Sequence, residues 1–223
     1  MPKKESRKKG FSDKLKFDYK RNKEIYLVIG TMVLLVILFI VFYSVFKSFS
    51  SFEYNGLKFT KEKIGSVLFY HYKYYFEDAE SILHGYNLYI RNDPRRNNVP
   101  IEGEITFPKL GSNIYVSINT TGLTKCNNSI IAVAVLADFL AGNMFKVVTS
   151  VPDKAEANSS NLTYADCETY PLETTISLRE GNETKVTKSG RCYIISATDC
   201  EVLEAVEKFE VQAILDAKKR ALV

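Results

Sequence analysis

The chain has 223 residues, with 30 lysines and arginines against 26 aspartates and glutamates, and a formal net charge of +4. The charge is lopsided: the first 24 residues carry +6 of it, which leaves the remainder at about −2. That balance excludes a general nucleic-acid-binding role for the bulk of the chain, because such a role needs a basic surface.

Residues 1–24 form a basic tail, too polar to bury a core and therefore read as disordered. Its lysines and arginines would draw anionic headgroups, at about 1 kcal/mol each near the surface. From Ile25 to Phe46 no charged side chain occurs. Those residues make about 33 Å of helix, enough for a bilayer core of about 30 Å. The basic flank precedes the span, so the N-terminus is expected in the cytoplasm and everything beyond Lys47 outside the plasma membrane. The run is longer than a signal-peptide core, so a cleaved signal peptide fits poorly. An uncleaved single-pass signal anchor is the reading, with Tyr26, Tyr43, Phe46 and Phe49 at the two interfaces. Gly30 has no second small residue four positions on, so a GxxxG-type helix dimer has no support. Residues 47–51 are a short juxtamembrane linker, and 52–223 an exterior domain large enough for its own core.

All four cysteines, Cys126, Cys167, Cys192 and Cys200, follow the span, as do the sequons at Asn119, Asn127, Asn158, Asn161 and Asn182. An even cysteine count on an exported domain predicts two disulfides, and the sequons predict a glycosylated exterior. A strand over Arg191–Ser196 would hold Cys192 and Cys200 about 15 Å apart, too far to bridge. Two long-range pairings remain open.

The domain begins with strands. Asn55-Gly56 inside FEYNGLKFT is a hairpin signal. The aromatic run Val67–Phe76 suits a strand, with Tyr70, Tyr72, Tyr74 and Phe76 on one face and Phe69, His71, Lys73 and Tyr75 on the other. Further strands are expected at Tyr86–Arg91, Ile101–Phe107 and Asn113–Asn119. Ser129–Ala141 is apolar all round and too short to span a bilayer, so it reads as a buried helix, with Asn128 or Ser129 and Gly142 as its caps. A strand at Met144–Ser150 and an exposed loop over Pro152–Pro171 follow. Thr174–Leu178, a turn at Glu180-Gly181-Asn182, Lys185–Lys188 and Cys192–Ile195 suggest another hairpin plus a strand. Thr198-x-x-Glu201 offers a capping box for a last helix that buries Val202, Val206, Phe209 and Ala213 and leaves Glu204, Glu207, Lys208 and Lys218 in solvent. The fold class is α+β: a mostly antiparallel sheet with two packed helices.

Candidate sites are few. The loop from Arg91 through Asp93, Arg95 and Arg96 to Pro100 is the densest polar cluster of the domain. Its arginine forks suit a carboxylate, phosphate or anionic sugar, while the plain alternative is a rigid turn that ties up Asp93. Tyr70, Tyr72 and Tyr74 offer a stacking or partner surface, or ordinary packing. His71 and His84 lack partners at metal-ligand spacing, and no HExxH, GxSxG, CxxC or glycine-rich phosphate loop occurs. No metal or cofactor is therefore expected.

The anchor, the Arg91-Asn-Asp-Pro-Arg95 loop, the Gly190–Ser196 strand and the Glu204–Phe209 helix segment together resemble uncharacterised archaeal single-pass membrane proteins. The resemblance implies a habitat and no catalytic residues. The leading expectation is an accessory or structural subunit of a cell-envelope or surface complex, acting by protein contact. The alternative is a sensor or binder of a small anionic or sugar ligand through Arg91–Arg96 and the nearby tyrosines. A hydrolase whose acidic residues converge only in the fold ranks third.

Overall fold

The computed structural model describes residues 23, 25–44, 50–78, 80–123, 126–170 and 173–221. The basic tail before Lys23 and most of the 47–51 linker lie outside them. The chain divides into two units, residues 1–51 and 52–223. In the first, helix α1 (Ile25–Ser44) is long and apolar enough to cross a membrane. Its one interior hydroxyl is satisfied locally, with Thr31 Oγ1 donating to the Leu27 carbonyl at 2.6 Å.

The second unit is α+β, with two sheets. The first sheet is a meander of β1 (Ser51–Tyr54), β2 (Leu57–Ile64), β3 (Val67–Glu77) and β4 (Leu83–Ile90). Asn55 (φ 48°) and Gly56 (φ 80°) make the β1–β2 turn, the positive-φ pair that matches strand twist. β4 pairs with β3 from Tyr70–Ile90 to Glu77–Leu83. β2 pairs with the other edge of β3 only from Ile64–Val67 to Thr60–His71.

The second sheet uses β5 (Ile101–Glu102), β6 (Asn113–Ile118), β7 (Lys146–Val151), β8 (Thr163–Tyr164), β9 (Thr174–Glu180), β10 (Lys185–Ser189) and β11 (Cys192–Ala197). Their order is β5-β10-β11-β9-β6-β7-β8. Here the expectation of a mostly antiparallel architecture fails. Only β10–β11 is antiparallel, whereas β5–β10, β11–β9, β9–β6, β6–β7 and β7–β8 are parallel. The cause is α3 (Ser129–Gly142), which serves as the crossover that returns the chain from β6 to a parallel β7. β9 and β11 are accordingly buried along nearly their whole length. The expected hairpin around Gly181 is also displaced. β11 lies between β9 and β10, and the tight turn sits at Gly190, between β10 and β11.

Other expectations shift for local reasons. The expected Ile101–Phe107 strand shrinks to two residues, because Ile105 N donates to Asp216 Oδ2 and Thr106 N to Tyr193 Oη instead of to a ladder. The 152–171 stretch is not all loop. Asp153 caps α4 (Lys154–Ser160) by accepting from Glu156 N at 2.8 Å, and left-handed Asn161 ends it. Besides the short α2 (Thr120–Leu123), the last helix is α5 (Val202–Ala221). It opens after two positive-φ residues, Asp199 and Cys200, and Thr198 N bonds Thr184 Oγ1 rather than the Glu201 side chain, so no capping box forms. Nor does Gly142 cap α3; it is the last helical residue, and the left-handed turn falls on Met144.

Helices α3 and α5 pack on each other and join both sheets into one core. Phe209 of α5 meets Tyr193 of β11 (5.5 Å between ring centres), and Phe139 of α3 meets Tyr86 of β4 (6.0 Å). Two disulfides, Cys126–Cys200 and Cys167–Cys192, choose between the pairings left open. Both fasten segments next to β11, one just before its partner helix and one at its first residue.

Candidate functional site

Tyr72 and Tyr74 share a groove of about 840 Å³, within the range of about 300–1,000 Å³ typical of binding pockets. Residues 72–77 of β3 form one wall. Phe107, Phe139 and Phe145 form the floor, and Ile214, Ala217 and Lys218 of α5 face the strand. The aromatic spacing of β3 explains the wall: alternate residues Tyr72, Tyr74 and Phe76 point inward, and neighbouring rings stack at about 6 Å (Tyr72–Tyr74 5.8 Å, Tyr74–Phe76 6.2 Å). One polar pair lies in it. Tyr74 donates to Asn143 Oδ1 at 2.7 Å, and Asn143 Nδ2 donates to the Phe139 carbonyl at 2.7 Å. Burial pushes the Tyr74 phenol well above its ordinary value, so it stays a neutral donor. Lys73, Lys218 and Arg220 line the groove with Glu77, and Arg220 is paired with Glu104 at 2.8 Å, which leaves a modestly cationic lip over an apolar interior.

The remaining predicted residues lie elsewhere. Tyr70 packs edge-on against Phe52, with ring centres 5.8 Å apart. Asp93 is gripped by Arg95 through two bonds, Nε to Oδ1 at 2.9 Å and Nη2 to Oδ2 at 2.6 Å. The Arg95 bond holds the Asp93 carboxyl below the usual carboxylate range, and the guanidinium lies 3.8 Å from the centre of the Phe52 ring. Arg91 reaches instead over Phe69, at 5.8 Å, and borders a separate polar cavity of about 390 Å³ with Asn92 and Glu204. Arg96 is exposed. The three guanidiniums thus have different surroundings and form no common fork.

Glu207 is what sequence reasoning misplaced most. It is 2 % exposed rather than solvated, and its carboxylate accepts from Arg91 N (2.6 Å), Asn92 N (2.9 Å) and Asn92 Nδ2 (2.8 Å). Burial pushes its pKa up while those donors pull it down. The carboxylate pins the arginine loop onto α5. No sequence spacing announces this contact, since 115 or more positions separate the partners. One turn on, Glu210 is 1 % exposed and its Oε1 has no hydrogen-bond partner among the described residues; burial, then Glu207 and Asp138, raise its pKa well above normal.

The outer face of the first sheet carries the second row of β3 side chains. There His71 stacks on Tyr89 (4.4 Å, 10° between planes) and meets Glu62 Oε1 at 2.7 Å, while Tyr75 stands 59 % exposed. His84 meets Asp78 in the β3–β4 turn at 2.8 Å. Among the described residues no three His, Cys, Asp or Glu side chains are grouped to hold a metal ion. No family model, no curated protein and no solved structure matches the chain.

Proposed function

We propose that the chain is a single-pass membrane protein whose disulfide-linked α+β domain lies outside the cell and acts by protein contact, as an accessory or structural subunit of an envelope or surface complex. The charge asymmetry across the apolar helix supports the orientation, and the two disulfides support an oxidising exterior. The observation that carries the contact role is the groove itself: apolar inside, cationic at its lip, and walled by a strand. Interface cores favour such desolvated aromatic surfaces. The sequons at Asn127, Asn158, Asn161 and Asn182 have exposed asparagines, which suits glycosylation in an organism that performs it.

Mild extraction from native membranes, followed by affinity capture of the full chain and sizing of the product, tests this reading. The expected outcome is a defined partner in stoichiometric amount. Recovery of a lone monomer at every detergent concentration would remove the contact role.

A further inference from the structure

β3 is longer than its partner on one side. β4 covers it to Glu77, but the β2–β3 ladder stops at His71, because β2 leaves β3 at Thr60. Residues 72–77 therefore present one edge that pairs with no described strand. An unpaired edge of this length is a template for another chain, and folded proteins normally cover or blunt it. Here the same six residues form the wall of the groove.

We infer that this edge receives an extended peptide segment of a partner protein, added as a further strand beside β3. The inference rests on the contact role proposed above and specifies how the contact is made. Main-chain bonds to residues 72–77 would supply affinity, and alternate side chains would supply specificity. The inward side chains of the added strand would enter the space between Tyr74, Phe76, Phe139, Phe145 and Ile214, which requires them to be apolar. Its outward and flanking side chains would meet Lys73, Lys218 and Arg220 against the carboxylates of Glu77 and Glu104, an excess of one positive charge that favours acidic side chains. Lys218 already spends one donor on the Gly56 carbonyl (2.7 Å) and Arg220 is held by Glu104 (2.8 Å), so both cations are fixed at the lip rather than sweeping through solvent. The occupant is thus a short strand, apolar at alternate positions and acidic between them.

The test uses the full chain in nanodiscs of zwitterionic phospholipid and an N-acetylated peptide of alternating valine and glutamate, about the length of an ordinary strand. Two isomers carry N-methyl groups either on all valines or on all glutamates. Because successive residues of a strand turn their amides to opposite sides, each isomer loses one hydrogen-bonding edge only. One isomer should bind like the parent and the other at least tenfold more weakly. Ala217→Trp, at an exposed position on the groove wall, should weaken the parent at least tenfold without unfolding the domain. Equal binding of both isomers, no effect of Ala217→Trp, or a parent peptide that does not bind would each overturn the inference. A dimer of the chain that the peptide dissolves would overturn it too, by placing a second copy on the edge. None of these outcomes touches the co-purification result, so failure of the strand docking and failure of the contact role remain distinguishable.

Discussion

Glu207 and Glu210 stand one turn apart on α5, both buried, yet they play opposite parts. Glu207 is consumed by three donors of the arginine loop, whereas Glu210 has an oxygen with no hydrogen-bond partner among the described residues. A buried carboxyl with its pKa raised favours the protonated form in the fold, so folding takes up a proton at pH values between its unfolded and folded pKa. The sign follows: its contribution is most favourable below the unfolded pKa and is lost as pH rises toward the raised folded value. Glu210→Gln keeps the shape and removes that titration. It should flatten the fall in stability above about pH 4.5 and make the domain more stable than wild type at neutral pH. Denaturant melts across a pH series give the answer; a variant with the wild-type slope would mean the carboxyl is not the source.

At the scale of elements, local chemistry and long-range pairing separate cleanly. The Asn55-Gly56 turn, the aromatic strand and the alanine-rich helix were legible because each is specified by neighbours in sequence. The threading of β11 between β9 and β10 was not, since parallel pairing joins distant residues and leaves no local turn signal. α4 escaped for a different reason: Lys154–Ser160 is polar and buries only Ala157, so it has no apolar stripe to read. The candidate site was half legible. Tyr72 and Tyr74 follow from period-two placement, but their far wall comes from Phe107, Phe139 and α5, which only the tertiary fold brings opposite them. Gly142 shows packing overriding propensity. Alanine is the better helix former by about 1 kcal/mol, but its methyl group would collide with the Tyr86 ring. Gly142→Ala is therefore expected to destabilise the domain by about 1–3 kcal/mol, read as a drop in Tm, and a rise in Tm would show that Tyr86 yields freely.

At the scale of the molecule, one core drawn from residues after Ser51 is tied by two bridges of unequal reach, with sequence separations of 74 and 25 residues. On the chain-entropy account these restrict the unfolded state by about 4.4 and 3.5 kcal/mol. Replacing Cys126 and Cys200 together by serine should thus cost more stability than replacing Cys167 and Cys192 together, as measured by denaturant midpoints; the reverse order would place the larger effect in native packing. The shared destination of the bridges also shapes how the protein is made. Each joins a cysteine that precedes β9 to one in or just beyond β11. On the proposed topology Cys126 crosses first and Cys167 follows 41 residues later, so both stand as thiols outside while Cys192, 25 residues further on, is still crossing. An oxidant that acts promptly would join them to each other, so productive assembly depends on slow oxidation or on an isomerase able to undo that first bond.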